Sequence, residues 1–302
     1  MRTFIFMGTP EFAKIIVESL CSDDRLRCLG IISQPDRPVG RKQILTPPAV
    51  AQFARDKDIP LFQPEHLDEE IYTTLQDMKP DFIIVAAFGQ LLHKPFLELA
   101  PCINLHTSLL PAYRGASPLQ ETLLNGDPYA GITAIRMDEG LDTGDILGYT
   151  YHHVPQEAKY ECFLKKLGYV AANLAKDVML GFDAIAPYPQ RQVDASKVKK
   201  HRKEEGLVTF SDAQQLKRKY AAFFPWPGVY LESGLKLKEL EIETLQGEHQ
   251  EGEILSIDKT SCVIGCRKGA LKIHKVQPTG KNEMDMGSYL RGKRMGIGDL
   301  LV

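Results

Sequence analysis

Residues 81–89 read DFIIVAAFG. Both alternating sets of this stretch are apolar, Phe82, Ile84 and Ala86 on one side and Ile83, Val85 and Ala87 on the other. A strand with one wet face alternates polar and apolar residues, so a strand apolar on both sides is covered on both faces. Working outward, TFIFMG (3–8), LGIISQ (29–34), INLHTSLL (103–110) and ITAIRM (132–137) are likewise short, β-branched or apolar, and mostly bounded by Gly, Pro, Asp or Ser. Between these strands, PEFAKIIVESL (10–20), PPAVAQFARDKD (47–58), DEEIYTTLQDM (68–78) and SPLQETLLNG (117–126) repeat apolar residues at helical spacing, several with Pro in the first turn. The alternation predicts an α/β domain, a parallel sheet with helices on both faces.

Farther along, a hairpin partner at 145–154 precedes a long helical pattern, YECFLKKLGYVAANLAKDVMLGF (160–182). APYPQRQVDASKVKKHRKEEG (186–206) then combines prolines, a basic cluster and few large apolar residues, the composition of a linker. A short helix, SDAQQLKRKYAAF (211–223), leads to VYLES, LKLKELEIETL, GEILSID, TSCVIGC and ALKIHKVQP. Five or six short alternating strands in so few residues predict a small antiparallel barrel.

With 302 residues, 43% of them hydrophobic and 25% charged, the chain has globular composition and room for one or two domains. It carries no repeat or low-complexity tract, which excludes a solenoid, a collagen-like chain and a disordered one. Apolar runs such as 82–88 fall far short of the roughly 18 residues of a membrane span, and the start MRTFIFMGTPEF has no basic region followed by a long apolar one. No membrane role and a soluble, cytoplasmic protein are expected. Six scattered cysteines (21, 28, 102, 162, 262 and 266) without a C-x-x-C pair fit reduced thiols. Cys262 and Cys266 lack the two further ligands a zinc site needs, so no metal is expected. The formal charge is −2, but residues 190–302 hold 20 Lys and Arg against 15 Asp and Glu, and residues 1–189 hold 17 against 24. A phosphate backbone would be held by the basic C-terminal part.

The chemistry is expected where open α/β sheets place it, beyond the carboxyl ends of central strands. Asn104 and His106 stand two apart in INLHTSLLP, so an amide and an imidazole leave one face of a strand together. The loop that follows, with Pro111, Arg114, Gly115 and Pro118, suits a fixed shape around a ligand, and GLDTGD (140–145) brings Asp142 and Asp145 after the next strand. For a lone His the bland reading is a satisfied polar residue, and Asp near Gly often only turns the chain. Together, amide, imidazole and carboxylate serve acyl transfer to an amine, where an oxyanion needs donors and the amine must lose a proton. No G-x-S-x-G elbow, G-x-G-x-x-G fingerprint or P-loop lysine is present, so covalent acyl-enzyme chemistry and dinucleotide or ATP binding have little support.

NLHTSLLP (104–111), RGASP (114–118) and LDTGD (141–145), in that order, resemble the signature of the enzymes that transfer formyl groups from 10-formyltetrahydrofolate. MGTPEFA (7–13), QPDRPVGR (34–41), PWPG (225–228) and KVQPTGK (275–281) extend the resemblance over the whole chain, toward the methionyl-tRNA formyltransferases of that family. The resemblance implies a Rossmann-like catalytic domain over residues 1–189, a basic linker over 190–206 and an OB-like tRNA-binding domain over 207–302. It implies 10-formyltetrahydrofolate as co-substrate, initiator methionyl-tRNA as partner, a role in translation initiation and a monomeric enzyme. Carried over by position, Asn104, His106 and Asp142 form the catalytic set and Ser108, Leu109, Leu110 and Pro111 the folate-contacting segment. The neutral amine would attack the formyl carbon while Asn104 and protonated His106 hold the oxyanion, with Asp142 orienting His106 and helping to take the proton. Arg41 aligns with the loop arginine that the family uses at the acceptor end of the tRNA. Arg37 and Lys42 flank it in the loop SQPDRPVGRKQILTPP (33–48), and Lys199, Lys200, Arg202 and Lys203 in the linker would hold phosphates. The segment KEEGLVTFS (203–211) departs from the acidic-aromatic stretch the family usually has there.

Two other readings remain at this stage. A sugar-amine N-formyltransferase would also carry a C-terminal domain, and the basic loop and linker argue against it. A non-catalytic RNA-binding protein built on an OB barrel would account for the basic half and leave the Asn, His and Asp arrangement without purpose. The single-domain glycinamide ribonucleotide formyltransferase is shorter and opens with a Gly-rich phosphate loop, and neither property holds here.

Overall fold

A computed structural model describes residues 1–40 and 42–302; Arg41 lies outside the described residues. The N-terminal part runs β1 (Arg2–Gly8), α1 (Glu11–Cys21), β2 (Leu26–Ile32), β3 (Arg37–Val39), β4 (Ile44–Thr46), α2 (Ala49–Asp56), β5 (Leu61–Phe62) and α3 (Glu69–Met78). It continues with β6 (Phe82–Ala86), α4 (Lys94–Leu99), β7 (Cys102–His106), β8 (Arg114–Gly115), α5 (Pro118–Asn125), β9 (Tyr129–Arg136), β10 (Ile146–His153) and α6 (Tyr160–Gly181). Seven of these strands make one sheet in the order β10-β9-β7-β6-β1-β2-β5. All five residues of β6 are buried, as its two apolar faces require. Asp81, just before β6, accepts the Thr3 amide at 2.7 Å and the Thr3 hydroxyl at 3.0 Å, which pins the register of β1 against β6. Those bonds hold its carboxyl below the usual carboxylate range.

The sheet is parallel from β7 to β5 and antiparallel where β7 meets β9 and β9 meets β10. This corrects the all-parallel expectation for ITAIRM, and the reason is the connection. A parallel crossover must carry the chain back to the starting end of the sheet. After β7 the chain instead stays at the carboxyl end, and β9 leaves from there, pairing Thr133 with His106 and Arg136 with Ile103. The parallel strands are therefore flanked on one side by an antiparallel pair, β9 and β10.

The chain divides into two compact units, one of residues 1–118, 129–153 and 162–199, the other of 119–128, 154–161 and 200–302. The expected linker 190–206 is split between them. Within the first unit its residues 197–198 form β11 (Lys197–Val198), paired in parallel with β8. In the second unit His201 is buried, with Nδ1 2.6 Å from Glu205 Oε2, while Lys200, Arg202 and Lys203 are exposed. That unit continues with α7 (Ala213–Ala222), β12 (Val229–Tyr230), β13 (Lys236–Thr244), β14 (Ile254–Ile257), β15 (Cys262–Gly265), β16 (Ala270–Gln277), β17 (Met284–Asp285) and α8 (Met286–Lys293). Its strands form an antiparallel sheet in the order β12-β13-β16-β15-β14, with β17 on β16. Val208 and Phe210, in the stretch that departs from the family pattern, are core residues, and the Val208 amide donates to the Tyr230 carbonyl at 2.9 Å. No described helix is long and apolar enough to cross a membrane.

The turn from β1 into α1 is packed to its limit at Gly8. A Cβ there would stand 2.6 Å from the Phe6 ring, 2.7 Å from Ala13 Cβ and 2.9 Å from the Ala86 carbonyl oxygen. Gly8→Ala is expected to lower stability by about 1–3 kcal/mol, the usual cost of overpacking; denaturant unfolding measures it, and an unchanged midpoint would contradict it.

Candidate active site

At the carboxyl end of β7 the structure brings together the three residues expected to act. Asn104 and His106 leave the same face of β7, and Asp142 reaches them from the loop between β9 and β10. Asn104 Nδ2 donates to Asp142 Oδ1 at 3.2 Å, and His106 Nδ1 lies 3.6 Å from the same oxygen. The second oxygen, Oδ2, accepts the Gly115 amide at 2.8 Å. His106 Nε2 is 3.0 Å from the Tyr113 carbonyl, which only accepts, so that nitrogen carries the proton. Its Nδ1 is thereby turned toward Asp142. The imidazole is 6% exposed and Asp142 11%, so these groups act on one another with little screening by water.

Two residues here take backbone angles that side chains resist. Asp142 has φ +54° and Tyr113 φ +63°. Asp tolerates this region better than most residues, while for a bulky Tyr it is an outlier held by its surroundings. The holding groups are visible: the Tyr113 amide donates to Ser196 Oγ at 2.8 Å and its carbonyl accepts from His106.

The segment expected to contact folate crosses over β9. Ser108 is buried and its hydroxyl donates to the Ala112 carbonyl at 2.6 Å; its own carbonyl accepts from Thr133 Oγ1 at 2.6 Å, and the Leu110 amide donates to the same hydroxyl at 3.1 Å. Leu110 packs with Ile135 and Ile146, whereas Leu109 and Pro111 are half-buried and remain accessible to a ligand. Asp145 is exposed. The loop 33–48 carries the two-stranded ribbon of β3 and β4; Arg37 pairs with Glu65 at 2.5 Å, and Lys42 and Lys199 are exposed.

A further layer was not legible in the sequence. Arg114 is only 2% exposed, and its guanidinium donates to Gln190 Oε1 from Nε (3.0 Å) and Nη2 (2.8 Å) and to Gln192 Oε1 from Nη1 (2.9 Å). Gln190 Nε2 donates to the carbonyls of Asp142 (2.9 Å) and Gly144 (2.7 Å). Gly115 beside it has φ +122°, and a Cβ there would lie 2.1 Å from the Val198 carbonyl oxygen, so β8 meets β11 only because residue 115 has no side chain. The RGASP loop and the GLDTGD loop are thus tied through the segment that follows residue 189.

Among the described residues no group of three or more His, Cys, Asp or Glu side chains is placed to hold a metal. Burial pushes the Cys102, Cys262 and Cys266 thiols up to about 12, so at pH 8 they stay protonated and unreactive, whereas Cys162 is exposed. Iodoacetamide at pH 8 is expected to alkylate Cys162 and to spare those three until the protein is unfolded; mass spectrometry finding all four labelled at equal rates would refute this. Gln190→Leu is expected to leave Arg114 Nε and Nη2 and the carbonyls of Asp142 and Gly144 without this partner and to lower stability by about 1–3 kcal/mol for each group left unpaired. Denaturant unfolding should show the loss, and a midpoint equal to that of the parent protein would remove the clamp from the account.

The family model described as formyl transferase matches residues 1–174, and that of the formyl transferase C-terminal domain matches residues 200–294. The methionyl-tRNA formyltransferase of a Nitratiruptor species is 50% identical over 298 residues, 98% of each chain. That of Wolinella succinogenes is 47% identical over 304 residues, covering both chains completely. Among solved structures, an N-formyltransferase from Helicobacter canadensis in complex with folinic acid and dTDP-3-aminofucose superposes with a TM-score of 0.67 over 92% of this chain and 100% of its own. At 15% identity that likeness concerns the fold alone. Full-length identity near one half, both family models and the site in β7 and its loops agree: the chain belongs to the methionyl-tRNA formyltransferase family.

Proposed function

We propose that this protein transfers the formyl group of 10-formyltetrahydrofolate to the α-amine of methionyl-tRNA, giving formylmethionyl-tRNA for translation initiation. The observation that carries the chemistry is convergence: Asn104 Nδ2 and His106 Nδ1 are both aimed at one anionic oxygen, Asp142 Oδ1. Asn104, whose amide donates, suits the oxyanion of a tetrahedral intermediate, and His106 joins it as a donor once Nδ1 has taken a proton. Asn104 has a second amide hydrogen for the formyl oxygen while the first stays on Asp142. The amine nitrogen forms its bond to the formyl carbon, the bond from that carbon to the folate nitrogen breaks, and the proton lost by the amine passes by way of His106 and Asp142 to the departing nitrogen. Asp142, tied by Gly115 and Asn104, orients His106 during that transfer.

Ser108 to Pro111 form the folate-contacting segment, with Leu109 and Pro111 as the accessible side chains. We assign the chemistry to the first unit, and phosphate holding to Lys199, Lys200, Arg202 and Lys203 within the basic stretch 190–302. Arg37, Lys42 and, by sequence alone, Arg41 are assigned to the acceptor end. Six free cysteines suit the reducing cytoplasm, where aminoacyl-tRNA is used.

The test is formylation of Met-tRNA set against an amino sugar, both with 10-formyltetrahydrofolate as donor. Asn104→Ala is expected to lower kcat by about 10²–10³, the worth of one oxyanion donor, with the folate KM little changed. Near-normal turnover in that variant would remove Asn104 from the mechanism, and equal turnover of the amino sugar by the parent enzyme would overturn the RNA assignment.

A further inference from the structure

The face of the sheet that carries Asn104 and His106 continues onto exposed aromatic rings. Residues paired directly across strands share a face. His106 pairs with Thr133 and Thr133 with Tyr149; two steps along, Gly131 pairs with Tyr151, and two further, Tyr129 pairs with His153. The opposite face is the packed one, since Gly148 there faces Leu174 and Val178 of α6. On the active-site face Tyr149 is 60% exposed, Tyr151 65% and Tyr129 50%, and His153 is exposed as well. Tyr129 stands edge-on to both Tyr151 (centroids 6.1 Å apart) and His153 (5.8 Å), which braces the row. Leu109, in the proposed folate-contacting segment, lies over Gly131, where an added Cβ would come within 2.5 Å of it. The aromatic row thus begins where that segment ends.

We propose that Tyr149, Tyr151, His153 and Tyr129 form a stacking surface for the unpaired nucleotides at the aminoacylated end of the RNA. The proposal rests on the function inferred above and adds where that RNA end lies. Two geometric facts favour this occupant. Tyr149 stands two strand spacings from His106, about 10 Å, and a base whose ribose carries the reacting amino acid must lie within such a reach of the reacting amine. Side chains at alternate positions of a strand are about 6.8 Å apart, which is the room one base needs between two rings when bases stack at about 3.4 Å. Stacking on tyrosines is indifferent to base identity, so the row holds the end of the chain without reading it.

The experiment compares the parent enzyme, Tyr149→Ala/Tyr151→Ala and Tyr149→Phe/Tyr151→Phe in formylation of Met-tRNA. Both rings are exposed, so thermal unfolding should be the same in all three. The Ala pair is expected to raise the KM for Met-tRNA about tenfold or more, with kcat and the folate KM unchanged, while the Phe pair stays near the parent. The salt dependence of RNA binding should keep its slope, because tyrosines release no counterions, whereas loss of a phosphate contact flattens it. An unchanged KM in the Ala pair, or an equal loss in the Phe pair, overturns the stacking surface and leaves the enzyme's function standing. A concentration-dependent dimer that the Ala pair abolishes without altering RNA kinetics would assign the row to a second copy of the chain and overturn the proposal. Inability of the parent enzyme to formylate Met-tRNA would overturn function and surface together.

Discussion

The side-chain amide of Gln190 has two acceptor positions and two donor hydrogens, and all four are used within the protein. Its oxygen receives a buried guanidinium and its nitrogen holds the backbone on either side of Thr143. The Asp142 carboxylate depends on that hold, because the residue sits at a backbone angle it would not choose by itself. Through Asp142 the dependence extends to Asn104 and His106. The geometry of the site is therefore set as much by amide hydrogen bonds behind the carboxylate as by the strand in front of it.

An arrangement that already receives an anionic oxygen needs little rearrangement to receive another. Here the oxygen is the protein's own, and the carboxylate and the His106 ring are nearly dry. Donors held in place before the reaction avoid the reorganisation that water would need as charge develops. The left-handed backbone at Tyr113 belongs to the same economy of motion: the conformation that the loop resists puts a carbonyl on His106 Nε2 and so decides which ring nitrogen faces inward.

Much of this was legible in the chain. Apolar pattern located β6, β7 and the long helix α6, and the spacing of Asn104 and His106 placed them on one face. The reversal of β9 was not legible, because ITAIRM reads the same in either direction and only the path after β7 decides it. Helices α4 and α8 are six and eight residues long, too short for periodicity to stand out, and α8 is set by Asp285 capping the Ser288 amide at 2.7 Å. Gln190 and Gln192 were hidden in a stretch whose prolines, charges and lack of large apolar residues read as a connector. Composition reports burial of apolar surface, and this segment is bound by hydrogen bonds instead. A glycine with no helix or strand signal, Gly115, was the trace that another backbone passes close by.

That placement of the connector changes where the catalytic module ends. The N-terminal family match stops at residue 174, yet Gln190, Gln192, Ser196 and Val198 all bond to the RGASP or GLDTGD loops or to the residues beside them. A gene fusion that kept only the matched part would retain Asn104, His106 and Asp142 and lose Gln190 and Gln192, which hold Arg114 and the backbone at Asp142. The first compact unit itself runs to Lys199, so a truncation meant to keep these loops in place has to be cut beyond that residue rather than at 174.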